Sequence, residues 1–215
     1  ARTEADRVVA EEKARLLSIE SAAASLRERF RQHELALAAR QEAVLGWQRR
    51  VRDAKAEGGA APDAAYDSIR QALKSARTEL DTALAVLASP RTEVPELGED
   101  GIAGVPADVP TEDVRALRAR LVTELEHTRH DETASQQARA SALFNEIDTL
   151  NDERLGLLDA LSGPKRDAIT GFTEAGFDQA RAEAWHLTLI VRYHAWQVRE
   201  WVRAVRAGGS VRGAI

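Results

Sequence analysis

Apolar side chains return every three or four residues from Leu16 onward: Ile19, Ala23, Leu26, Phe30, Leu37, Val44, Trp47, Val51 and Ala54, with His33 and Arg40 keeping step. A 3.5-residue period held over more than five heptads is a coiled-coil seam, and it predicts one helix over residues 3–57, about 80 Å long. Gly58-Gly59 stops it, because glycine enters the left-handed conformation at little cost. Pro62-Asp63 restarts the chain, with Asp63 as the expected N-cap. The second predicted helix, 63–88, carries Tyr66, Ile69, Leu73, Ala76, Leu80, Ala83 and Leu87 on the same spacing. Two seams joined by a short loop predict an antiparallel hairpin. A turn centred near residue 60 sets Ile69 opposite Val51, Leu73 opposite Trp47 and Ala83 opposite Leu37. The second helix then ends at Ser89-Pro90, level with His33. On this reading Leu16, Ile19, Leu26 and Phe30 form an exposed seam in need of another partner.

Pro90, Pro95, Gly98, Gly101, Gly104, Pro106 and Pro110 interrupt the next stretch, which reads as a mobile, non-helical linker over 90–110. Thr111, followed by Glu112 and Asp113, starts a third helix over 111–161, the acidic pair favouring the helix N-terminus. Its apolar stripe of Val114, Leu117, Leu121 and Leu125 fades between 126 and 142 and returns at Leu143, Ile147, Leu150, Leu157 and Leu161. Gly163-Pro164 ends it, a turn region with room for one short helix follows, and a fourth long helix occupies 177–207. Ala180, Ala184, Leu187, Val191, Val198, Val202 and Val205 are its expected core face. The predicted fold class is all-α. It comprises an N-terminal hairpin (1–89), the linker, a C-terminal hairpin (111–207) and a tail (208–215). The two hairpins either lie side by side as an elongated four-helix bundle or stand end to end.

Composition agrees with this texture: 30% charged and 5% aromatic residues over 215 positions suit long helices better than sheets. A net charge of −5 with acidic and basic residues interspersed gives no footprint for nucleic acid. Cysteine is absent, which removes disulfides and thiolate metal sites and fits an oxidising compartment. The lack of any methionine suggests a processed or excised piece of something longer. The longest apolar run, 187–191, falls far short of a membrane span.

Candidate chemistry is sparse. Glu124-x-x-His127 and Glu183-x-x-His186 have a spacing used in di-metal helical bundles, but folding the third and fourth helices back on one another separates the two histidines by some 35 Å of helix rise. His127, His130 and Asp131 read as a solvated stretch of polar helix, and His33 as a register-setting residue in the seam. Phosphate-binding loops and nucleophile elbows are missing, so no catalytic residue, metal ligand or cofactor is predicted. Trp185, Tyr193, Trp196 and Trp201, with Arg192, Arg199, Arg203 and Arg206, make the fourth helix a candidate for docking on a partner or near a membrane surface. Trp196 and Trp201 are the second expected contact beside the seam of Leu16, Ile19, Leu26 and Phe30.

The run ARASALFNEIDTL at 138–150, continuing as NDERL to 155, resembles the small-residue-rich helix in the N-terminal helical region of large MscS-type mechanosensitive channels. The hairpin-then-linker layout before it is similar too, over about 16–185. The resemblance implies a non-catalytic periplasmic or otherwise extracytoplasmic ring or sensor region, part of a membrane protein, that touches neighbours (copies of itself or a helical partner), the membrane or the cell wall. The alternative reading is a cytoplasmic coiled-coil adaptor or scaffold.

Overall fold

The computed structural model describes residues 2–88, 93–98 and 109–206. The fold is all-α: α1 (Arg2–Glu57), α2 (Ala61–Ala88), α3 (Glu112–Leu157), a 3₁₀ turn (Leu158–Ala160), α4 (Gly163–Thr170) and α5 (Glu174–Arg206). Gly58 and Gly59 both take positive φ, 70° and 61°, and the Gly58 amide donates to the carbonyl of Ala54 at 3.0 Å. This is the left-handed stop expected from the glycine pair. Asp63 departs from expectation. It lies inside the first turn of α2, and its carboxylate accepts the Ser162 amide (3.0 Å) and hydroxyl (2.6 Å). It therefore ties the start of α2 to the end of the 3₁₀ turn instead of capping its own helix, and those two bonds hold its pKa below the usual aspartate value.

The helices divide between two compact units, and the division does not follow the hairpins. One unit comprises Ala1–Leu35 with Arg91–Gln136, the other Ala36–Pro90 with Gln137–Ile215. The boundary thus cuts across α1 and α3 instead of falling in the 90–110 segment.

In the first unit, the opening half of α1 is covered by α3 and by a short non-helical piece of the Pro/Gly-rich segment. Leu16 packs with Val114 and Leu121. Ala23, Leu26 and Phe30 pack with Val94 and Leu125. Residues 93–98 are strapped down: Arg15 Nη2 donates to the Leu97 carbonyl (2.7 Å), Arg118 Nη2 to the Gly98 carbonyl (3.0 Å), and Arg29 pairs with Glu93 (3.1 Å). The expectation of a free linker is corrected for this piece, because Val94 supplies an apolar side chain that the α1 seam buries. Its remainder, 90–92 and 99–108, and the tail at 208–215 lie outside the described residues.

In the second unit, the closing half of α1, α2, the closing half of α3, α4 and α5 enclose one core. Val51, Tyr66, Ile69, Leu73, Leu80, Leu143, Ile147, Leu150 and Leu189 are its centre. Arg40, which held a seam position in the repeat, bridges Glu79 (2.7 Å) on α2 and Glu146 (2.6 Å) on α3. Burial works against its charge, but the two carboxylates outweigh that and raise its pKa. The turn into α5 needs small residues: a Cβ at Gly176 would overlap the carbonyl oxygen of Gly171.

Leu150 is fully buried, so Leu150→Ala should lower unfolding free energy by about 2–5 kcal/mol in a denaturant titration. Leu26→Glu should lose amide-exchange protection in the first unit, since it places a charge among Phe30, Val94 and Leu125.

Candidate functional site

α5 has two apolar faces, and only one is used by the fold. The inward track runs through Ala182, His186, Leu189, Tyr193 and Trp196. His186, Leu189 and Tyr193 are buried. Tyr193 stacks on Phe144 of α3 with ring centroids 4.2 Å apart and 10° between planes, and its hydroxyl donates to Ser141 Oγ at 3.1 Å. The small residues of the α3 run allow that approach, with Ala140 completely buried.

The outward track holds the leucine and valine face expected to be core. Leu187, Val191 and Val198 are 62%, 67% and 60% exposed. That assignment is corrected: the helix is apolar on both sides, and Tyr193, Leu189 and Trp196 have more to bury than the valines. Phe177, Trp201 and Val205 extend the outward track, and Ala180 and Ala184 lie exposed between them. From 177 to 191 and from 198 to 205 the steps alternate 3 and 4, with His194 at the position between. Val191, Val198 and Val205 fall at equivalent a positions and Leu187 at d. At 194 the His ring sits edge-on to Phe144, 5.5 Å between centroids, leaving exposed Ala195 to hold the stripe there.

The sequence-predicted contact residues therefore separate. Leu16, Leu26 and Phe30 are buried at 0%, 3% and 8% exposure and Ile19 is half-buried, so the expected free seam is covered by the chain's own α3 and residues 94–97. The reason is length: α2 is shorter than α1, and α3 takes the place it leaves. Trp196 is half-buried against the core cluster, while Trp201 is 46% exposed on the outward track.

A second feature joins α2, α3 and α5 through charged side chains. Arg77 on α2 and Arg154 on α3 are buried at 4% and 3% exposure and share Glu183 of α5. Arg154 Nη2 lies 2.8 Å from Glu183 Oε1, and Arg77 Nη2 lies 3.9 Å from it. Burial pushes the Arg77 pKa down, opposed by Glu183 and reinforced by Arg154. His186 stands in the same cluster, buried, with its Nδ1 unpartnered. Its pKa is lowered first by desolvation and then by Arg77, with Glu183 and Asp148 acting the other way and Arg154 adding to the fall. The available signal was Arg77's place four residues after Leu73 and seven before Leu84, a track that is buried on both sides.

The two Glu-x-x-His pairs fall in different units, with Glu124 engaged by Arg27. His127, His130 and Asp131 are exposed on α3. His33 is half-buried, its Nδ1 3.5 Å from Ser135 Oγ. Among the described residues no group of three or more His, Cys, Asp or Glu is placed to hold a metal ion, and no helix is long and apolar enough to cross a membrane. Neither family models, curated proteins nor solved structures yield a match to this chain.

A histidine with a depressed folded pKa takes up its proton more readily in the unfolded chain, so stability falls as pH drops below about 6.5, the ordinary imidazole value. Thermal melts between pH 7.5 and 5 should show that fall, and His186→Leu should flatten it.

Proposed function

We propose that this chain is a non-catalytic helical interaction domain that works through the outward face of α5, and that its partner there is a second copy of itself. The observation that carries the reading is the exposed heptad track from Phe177 to Val205. Six large apolar side chains on it present roughly 600 Å² to solvent, at about 100 Å² each. That is at the upper end of the largest patch on an ordinary monomer. Doubled across a symmetric pair, it reaches the lower range of specific interfaces. Valine at three successive a positions, 191, 198 and 205, with Leu187 at d, suits a helix-on-helix seam. A helix lying in a membrane interface keeps a charged face in water. Here the opposite face is docked on α3, which favours a protein partner over a lipid surface.

For its setting, we propose the extracytoplasmic helical region of a mechanosensitive-channel-like membrane protein of the MscS type. The support is the 138–155 run, which lies on α3 where its small residues admit an aromatic neighbour. A parent gene that continues into several membrane spans is the expected finding, and a cytosolic chain with no spans would count against this setting.

Light scattering of the purified chain at tens of micromolar should give a dimer mass. Val191→Glu combined with Val198→Glu should weaken association at least about 100-fold, because each charge would be buried unpaired, while helicity by circular dichroism stays unchanged. A monomeric wild type would sink the reading.

A further inference from the structure

Between α2, α3 and α5 of the second unit lies a cleft of about 690 Å³, lined by Arg70, Lys74, Arg77, Arg154 and Arg181 against only two carboxylates, Asp178 and Glu183. This excess of positive charge occurs in a chain whose net charge is −5. The volume is that of a small-molecule site and far more than a bare ion fills. Leu73 and Trp185 give the same cleft an apolar wall.

The inner wall is short of acceptors. Arg77 Nη1 donates to the Ala182 carbonyl at 3.1 Å. Its Nε and Nη2, the two nitrogens that form a side-on fork, have no hydrogen-bond partner although the side chain is 96% buried, and Arg154 Nε is also unpartnered. Glu183 Oε1 is ion-paired with Arg154 Nη2 (2.8 Å) and accepts from Gln179 Nε2 (2.6 Å), and Arg154 Nη2 also donates to Asn151 Oδ1 (3.0 Å). Two buried guanidinium groups thus share one carboxylate, an arrangement that is costly unless something supplies the missing negative charge. A planar fork with both N–H groups free matches two oxygens of a phosphate or carboxylate.

We propose that this cleft binds a phosphate monoester with an apolar or aromatic body, its phosphate held by the Arg77 fork and neighbouring cations and its body against Leu73 and Trp185. Two ionisable oxygens suit five cationic side chains facing two acids better than a single carboxylate does. Both a free phosphorylated small molecule and a phosphomonoester lipid headgroup offer this chemistry. The inference is independent of the outward face of α5. Arg77 Nε and Nη2 are enclosed, so the phosphate reaches them with a side-chain shift at the inner wall, which Trp185 on that wall is placed to report.

The full chain should be titrated with phenyl phosphate at constant ionic strength, following tryptophan fluorescence and calorimetric heat, and separately mixed with phosphatidylcholine vesicles containing phosphatidic acid. Saturable binding of phenyl phosphate supports a soluble ligand. Binding to the phosphatidic acid vesicles alone supports the lipid source. Arg77→Leu should keep or raise the melting temperature, since it removes an under-paired buried charge, yet raise the Kd at least about tenfold. Arg77→Lys, which keeps charge without the fork, should fall short of wild type. Should Arg77→Leu fail to fold, the exposed pair Lys74→Gln and Arg181→Gln should each weaken binding about threefold with an unchanged melt. Absence of binding to both probes, or affinity indifferent to all four substitutions, overturns the proposal.

Discussion

The seam of α1 is longer than α2 can cover, and the rest of the architecture answers to that fact. The apolar stripe runs along a helix of 56 residues, and a partner of 28 residues reaches only part of it. The remainder is covered by the first half of α3, reinforced by Val94 and Leu97 from an otherwise irregular segment. Because the second half of α3 also enters the core with α2 and α5, one helix completes what the hairpin leaves open and builds the floor on which α5 rests. The half-buried tie of Arg40 to Glu79 and Glu146 lies in the same unit and links α1, α2 and α3.

The other organising feature is the double-sided character of α5. Its inward track is aromatic and makes directional contacts: a stacked Phe144–Tyr193 pair and a hydroxyl bond to Ser141. The outward track is mostly aliphatic, with Phe177 and Trp201 toward its ends. Aromatic rings bury more area and can satisfy a polar handle at the same time, which decides which track faces α3. The apolar stripe left over is then a consequence of fold energetics and not a defect of it, and it is the feature on which the functional reading stands.

Much of this was legible in the sequence where the signal is local. The heptads of α1 and α2, the glycine pair between them, and the acidic start of α3 depend on neighbours in the chain, and each element is found within a few residues of its expected bounds. Signals that depend on tertiary choice were not. Leu187, Val191 and Val198 repeat as regularly as the true core positions Leu189 and Tyr193, and periodicity alone cannot rank two faces of one helix. The covering of Leu26 and Phe30 needed Val94 and the Leu125 region of α3, both more than sixty residues further along the chain, to be brought to them. The Arg77–Arg154–Glu183–His186 cluster draws on three helices, so no short motif announces it.

α1 and α3 each pass without a break from one compact unit into the other, so neither unit corresponds to a contiguous stretch of polypeptide. Cutting the chain at the irregular segment would separate two halves that each contain fragments of both cores, and each half would bare apolar surface that only the other half covers. Fragments intended to isolate either body would therefore have to retain both strands of its wall, joined by an artificial connector. During synthesis the opening half of α1 stays without the neighbours it packs on until the chain has been made to about residue 136, leaving its seam uncovered while the intervening hundred or so residues follow.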